Sequence, residues 1–374
     1  VLLDPSVEDP WGQRKDLVQT RVRYELQIRW HRHGGVDRLV VTREEVRPIL
    51  SGKDGWPHSG RGMSPEFQRA YLRYGRRAPF LSNQQEGANS VFSIHQDGRS
   101  GRTKPAHAAG ATILSSIRSS EEFPHLYALA QELASWRFLH LDPAALRGAS
   151  STVARDELDA DGRNLPTVLN RLRAETATAT RPQGVLAEIS ADLASMISGV
   201  LGIEVQEDPR AREVRIDLKM EGKEVFPSRV VSDGTLRVLG LLTVLHDPRR
   251  RGLLCYEEPE NGIHPGRLKH LVRLLQESVT DPSQKDASSE EPLSQVLMNS
   301  HSPVVLGSLL KLAPETLLFA DRASIAGNGA GPAASRTRIR PIHLEEQGRL
   351  LEPLQESVSS FEVSRFLETT LSAG

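Results

Sequence analysis

The sequence has almost no cysteine: Cys255 is the one thiol in 374 residues. Neither an internal disulfide nor a zinc site built from several cysteines can form within one chain. Cys255 stands inside the apolar run Gly252-Leu253-Leu254-Cys255-Tyr256, which marks it as a small core residue of a protein kept in a reducing compartment, the cytoplasm. Long apolar runs are missing too. None approaches the length needed to cross a bilayer, and Val1-Leu2-Leu3-Asp4 lacks the basic and apolar regions of a signal peptide, so no membrane partner is expected. Nor does one charge dominate. The 47 basic and 48 acidic residues leave a net charge of −1, so no global field draws the molecule to nucleic acid, and any DNA contact has to come from a local patch. No internal repeat is visible. Hydrophobic content of 38% over this length is enough for a large core, in one elaborated domain or in two lobes.

What is present centres on the stretch from Gly252 to Pro265. Its apolar run ends abruptly in Glu257-Glu258, the pattern of a buried strand delivering acids to the carboxyl edge of a sheet, where open α/β sheets bind ligands. Ionised carboxylates in such a setting are costly unless a cation, a polarised water or a substrate compensates them. Upstream, Ser232-Asp233-Gly234-Thr235-Leu236-Arg237 opens the apolar stretch Val238 to Leu245. Downstream, Gln295 to Met298 is a second short apolar run, closed by Asn299-Ser300-His301-Ser302-Pro303.

In this order these residues resemble the carboxyl half of an ABC-type ATPase head, the class that includes SMC-like and other DNA-associated ATPases. They are most similar to the bacterial AAA ATPases related to the RecF/OLD-type group, whose Walker B motif reads EEPENG, a hydrophobic residue, then HP. The resemblance runs from Asn164 to Asp321. It implies an α/β fold with a P-loop NTPase-like mixed sheet flanked by helices, an antiparallel β-subdomain and a helical lobe. It also implies hydrolysis of ATP, with Mg2+, between two subunits of a homodimer. By position, Glu257 supports the magnesium ion through its water shell and Glu258 orients or deprotonates the attacking water. Glu257 replaces the Asp commoner among transporters. Ser232, Gly234 and Thr235 take the place of the signature, where a helix amino terminus faces the γ-phosphate held by the other subunit. Asp233 departs from the usual glycine and brings a carboxylate near that phosphate. His301 takes the place of the switch histidine that contacts the γ-phosphate. Asn261 and His264 lie in the turn after the acids; His264 stands where transporters place the D-loop aspartate, or else caps the next helix. The resemblance implies a DNA-related or antiphage-defence role, with DNA or a separate effector protein as partner. The alternative is a catalytically weak, nucleotide-responsive scaffold that controls such an effector.

The sequence lacks one motif that the resemblance requires, Gly-x-x-x-x-Gly-Lys-Ser/Thr. Gly98-Arg99-Ser100-Gly101-Arg102-Thr103-Lys104 is glycine-rich but has the wrong spacing. The phosphate loop is expected in a segment upstream of Val1, and the rival is a degenerate ATPase that has lost it. A metalloenzyme reading gathers Glu257, Glu258, His264 and His301, but adjacent carboxylates on a strand point to opposite faces, which disfavours joint ligation.

Along the chain, residues 1–50 are expected to be an N-terminal β-subdomain. Val22, Tyr24, Leu26, Ile28 and Trp30 alternate with polar residues, predicting a half-exposed strand, turned at His33-Gly34-Gly35 and paired with Arg38 to Thr42. Residues 51–134 read as an inserted irregular or helical region with a helix near Glu66 to Leu72, a strand at Val91 to His95 and a turn at Gly98 to Gly101. Its basic residues, Arg69, Arg73, Arg76, Arg77, Arg99, Arg102 and Lys104, read as a solvated insertion rather than a nucleic-acid patch, because interleaved aromatics are sparse. The Q-loop glutamine is one of Gln84, Gln85 and Gln96. Residues 135–203 are expected to be a helical lobe, with helices over 165–172 and 185–200. Residues 204–343 are expected to be the ATPase core, with strands near 214–220, 252–256, 295–298 and 315–320, a polar loop over 281–291 and a small, flexible stretch over 323–335. Residues 344–374 are expected to be a helical tail without the Asp-x-Asp pair of a TOPRIM nuclease.

Overall fold

The computed structural model describes residues 1–58, 62–86, 89–96, 99–105, 110–222, 224–284, 292–325, 334–342, 358 and 363. The chain is a mixed α/β protein with antiparallel sheets and helices, the class expected. It divides into two compact units, the first made of Val1–Arg137, Arg251–Leu253 and Thr280–Gln295 and the second of Phe138–Arg250, Leu254–Val279 and Val296–Gly374.

In the first unit, β1 (Ser6–Glu8) pairs with β2 (Arg14–Asp16), and β3 (Val22–His33) with β4 (Val36–Pro48), all antiparallel. The turn between β3 and β4 works because Gly34 and Gly35 both take left-handed φ values, 58° and 81°, which suit a tight hairpin. The alternation covers its apolar face only at the base. Val22 and Val46 are buried, whereas Leu26, Ile28, Trp30 and Leu39 are exposed by 39 to 66%, so the outer part is a two-stranded ribbon rather than a half-buried strand. After α1 (Pro65–Tyr71) come β5 (Leu81–Glu86), β6 (Asn89–Gln96) and β7 (Arg99–Pro105), which extend the hairpin into a five-stranded sheet of order β3-β4-β5-β6-β7. The region read as irregular or helical thus holds three strands of this sheet beside its helices. Only β6 carries an apolar signal, in Val91, Phe92 and Ile94; the polar strands on either side are fixed by their partners. Gly101 lies in β7 rather than a turn, and Gly98 lies outside the described residues. Gln84 and Gln85 lie on β5 and Gln96 on β6. Beside the sheet, α2 (Pro124–Ala134) buries Leu126 and Leu129 with Leu3, Leu17, Phe80 and Phe92. Glu44 is buried among them, accepting bonds from the N–H groups of Ile113 and Leu114 and from the Tyr24 hydroxyl.

In the second unit, β8 (Arg137–Leu139) leads to α3 (Pro143–Leu146), β9 (Ser150–Ser151), α4 (Leu165–Thr176) and α5 (Leu186–Met196). The α5 helix is shorter than expected because Gly199, at φ 81°, turns the chain directly into a strand. That strand, β10 (Val200–Asp208), pairs with β11 (Glu213–Met220), which also takes β12 (Val225–Pro227) and β9. Then follow α6 (Asp233–Leu245), β13 (Gly252–Glu257), α7 (Leu268–Glu277), β14 (Ser294–Asn299), α8 (Pro303–Leu312) and the hairpin β15 (Leu318–Ile325) and β16 (Ala334–Pro341). The order β14-β13-β8 makes a three-stranded sheet. Leucines of α4, α5 and α6 pack with Val214, Leu218, Leu254 and Leu271 into one core. Asp192 of α5 ties two further ends together, bonding His246 at 2.7 Å and His270 at 2.9 Å. The strand expected from Glu315 begins at Leu318, because Pro314–Thr316 forms a 3-10 turn. The stretch expected to be flexible contributes its ends to β15 and β16, while residues 326–333 lie outside the described residues. So do residues 285–291 of the polar loop and, except for Val358 and Val363, the tail expected to be helical. Among the described residues no helix is long and apolar enough to cross a membrane.

One buried group makes the first unit sensitive to acid. His125 is 3% exposed and stacks on Phe80 at 4.5 Å; burial, and then the nearby Arg76 charge, pull its imidazole down from 6.5 to about 4. Between those values the unfolded chain binds more protons than the folded one, so stability falls as pH drops through the window. His125→Phe keeps the stack and removes the titration. In urea unfolding, wild type is expected to lose roughly 2–3 kcal/mol more than the variant between pH 7 and pH 4. Parallel pH profiles would refute this.

Candidate functional site

The strand β13 buries Leu254 and Tyr256 and leaves Leu253 and Cys255 half-buried, so its alternate side chains fix it firmly in the sheet. Burial pushes the Tyr256 phenol up to about 12 and raises the Cys255 thiol. The strand ends at Glu257, which is exposed, and whose carboxylate has no hydrogen-bond or ion-pair partner among the described residues. Glu258 then leaves the strand with φ 47°, a left-handed conformation that costs a residue with a side chain and needs outside support. The support comes from Asn299 at the end of β14. The Glu258 N–H donates to the Asn299 carbonyl at 3.2 Å and to its side-chain oxygen at 2.9 Å. At the start of β13, the Gly252 N–H donates to the Leu293 carbonyl at 2.8 Å, so the two strands run parallel and end side by side.

The residues after Glu258 close a compact turn. Asn261 donates its N–H to the Glu258 carbonyl at 3.0 Å and its side-chain amide to Glu258 Oε2 at 2.7 Å. Past β14, His301 brings its Nε2 to 3.8 Å from Glu258 Oε1, with its side chain 83% exposed. Glu258, Asn261 and His301 therefore form one cluster at the ends of two parallel strands. His264 faces elsewhere: its Nδ1 accepts from the Gly266 N–H at 3.2 Å, capping the 3-10 turn Pro265–Arg267. Among the described residues no three His, Cys, Asp or Glu side chains gather as a metal-ligand group, so Glu257, Glu258, His264 and His301 are not a common ligand set.

The start of α6 lies against the same turn. Ser232 caps the helix, its Oγ accepting from the Thr235 N–H at 3.2 Å and bonding the Thr235 hydroxyl at 2.7 Å. Thr235 is only 4% exposed, and its side chain supports the cap. Gly234 meets Gly262 backbone to backbone. A methyl group on Gly234 would lie 2.5 Å from the Gly262 Cα, and one on Gly262, at φ 91°, would lie 2.3 Å from the Gly234 Cα. Asp233 pairs with Arg147 at 2.6 Å, and Arg147 also donates to the Val231 carbonyl at 2.8 Å. The Asp233 carboxylate is thus charge-compensated. Sequence reasoning missed four residues here: Arg147, Asn299, Ser300 and Glu260. The polar end of the β14 run was the one signal that pointed to Asn299.

Residues 79–307 match the family model described as "AAA domain, putative AbiEii toxin, Type IV TA system". None of the curated proteins matches the sequence. Among solved structures, the chain is similar to an SMC head bound to the C-winged helix domain of ScpA, at 15% identity and TM-score 0.35, over 85% of this chain and 98% of that one. It is similar to the SMC head domain from Thermotoga maritima at 11% identity and TM-score 0.27, over 87% of this chain and 100% of that one. The Smc head with a coiled coil and joint derived from Pyrococcus yayanosii gives 14% identity and TM-score 0.29 over 50% of this chain, which spans 29% of that longer one.

The glycine contact gives a direct stability test. Gly262→Ala is expected to lower stability by about 2–4 kcal/mol, through its left-handed φ and the collision with Gly234. Gly52→Ala, where an added methyl meets nothing within 4 Å, should stay within about 0.5 kcal/mol of wild type. Equal denaturation midpoints for the two variants would show that the turn yields freely.

Proposed function

Because the chain belongs to the AAA-domain family that its residues 79–307 match, we propose that it is a magnesium-dependent, ABC-type ATPase that closes as a homodimer across ATP. The observation that carries this reading is the cluster at the strand ends. Glu258 has one carboxylate oxygen held by Asn261 and the other beside an exposed His301. A carboxylate fixed in this way can orient a water and take its proton, and an exposed imidazole next to it suits contact with a γ-phosphate. Glu257, an unengaged oxygen donor at the same edge, fits Mg2+ held through water; the ion, when bound, offsets the charge of the phosphates.

The trans contact is assigned to the amino terminus of α6, at Ser232 and Gly234. Two features support it: the helix dipole favours an anion there, and the Arg147 partner relieves the repulsion that Asp233 would otherwise exert. Asn261 acts in cis by holding Glu258, and Thr235 acts through the cap. From the likeness of the motifs we assign the cycle to a DNA-related or antiphage-defence process in the cytoplasm, working on DNA or through a separate effector protein. A catalytically weak, nucleotide-responsive scaffold is the second reading, and turnover separates the two.

Glu258→Gln keeps the shape and the Asn261 contact on one side but removes the proton acceptor. In the full-length protein, ATP affinity should hold within about 3-fold while hydrolysis falls by about 100-fold or more. The variant should accumulate as an ATP-bound dimer by light scattering, and wild type should dimerise far less with ADP. Unchanged turnover would remove Glu258 from the chemistry. ATP binding without turnover in either protein would leave the scaffold.

A further inference from the structure

Glu260 lies between the acid turn and the histidine loop and holds both. Its Oε1 accepts from the Ser300 hydroxyl at 2.7 Å and from the His301 N–H at 3.1 Å, while its own carbonyl takes the Ile263 N–H at 3.0 Å. Its Oε2 is buried and meets no hydrogen-bond donor among the described residues. A buried carboxylate oxygen without a donor is costly.

We propose that Glu260 is a positioning residue that clamps the His301 loop to the turn carrying Glu258; the proposal rests on the ATPase reading above. The His301 side chain cannot place itself, because it is 83% exposed and its nearest charged neighbour is Glu258 at 3.8 Å. Its position is set by its backbone, and the His301 N–H ends on Glu260. Ser300, bound to the same oxygen, also accepts from the Ser302 N–H at 3.1 Å, so the clamp reaches the cap of α8. Glu258 itself is held by other groups, Asn299 and Asn261. Loss of the Glu260 carboxylate therefore frees His301 and leaves Glu258 in place.

The test compares Glu260→Ala, Glu260→Gln, His301→Ala and the Glu260→Ala/His301→Ala double variant in the full-length protein, with amide exchange and ATP turnover as readouts. In Glu260→Ala, the His301 amide should exchange about 10-fold faster. Turnover should fall about 10-fold or more with KM within about 3-fold, the pattern of a displaced group rather than lost substrate binding. The double variant should be no slower than His301→Ala alone, because the clamp acts through that residue. Glu260→Gln should stay within about 3-fold of wild type, since its side-chain oxygen can still accept both bonds. Unchanged exchange at His301 overturns the clamp, and so do multiplicative losses in the double variant. Should Glu260→Ala not fold, Ser300→Ala, which removes one of the two bonds, must still speed exchange at His301, and a failure to do so overturns the clamp. If wild type shows no turnover, the ATPase reading falls while amide exchange still judges the clamp.

Discussion

The site depends on one residue held in a conformation it would not choose. Glu258 turns off β13 with a positive φ, and a side-chain-bearing residue keeps such a geometry only where its surroundings over-determine it. Both oxygens of Asn299 take its N–H, and Asn261 returns two bonds to its carbonyl and carboxylate. This turn makes the neighbouring acids diverge: Glu257 finishes the strand in the open, while Glu258 swings toward β14. Because the same Asn299 terminates β14, the support for the acid also registers the loop that carries His301.

The α6 helix is fixed at both ends by different physics. At its start the glycines leave backbone against backbone, with no side chain between them to absorb a displacement. At its end His246 caps the helix and bonds Asp192, which also holds His270 on α7. The turn after the acids and the helix that follows it are thus joined through α6, by glycine backbone at one end and by Asp192 at the other.

Much of this was legible in the sequence, for a physical reason. Alternation over Val22 to Trp30 and the apolar run before Glu257 are local patterns, and both give strands. The apolar residues of α4 and α5 fall at helical spacing, and both segments are helices. What was not legible depends on distant partners. β5 and β7 are strands because β6 lies between them, with no apolar alternation of their own. Arg147 reaches Asp233 across 86 positions, and Glu260 reaches His301 across 41; spacing along the chain carries no trace of either. Thr235, grouped with Ser232 and Gly234 by motif position, has its hydroxyl in the helix cap and its side chain in the core, which spacing alone does not reveal.

The lone cysteine has a practical consequence. Cys255 is half-buried in the strand that ends at the acids, and burial raises its thiol above the usual range. Since the thiolate is the reactive species, maleimides and alkylating reagents will meet a slow target there at neutral pH. A cysteine introduced on an exposed surface, such as the outer ribbon at Leu39, should react faster with a fluorophore or spin label than Cys255 does.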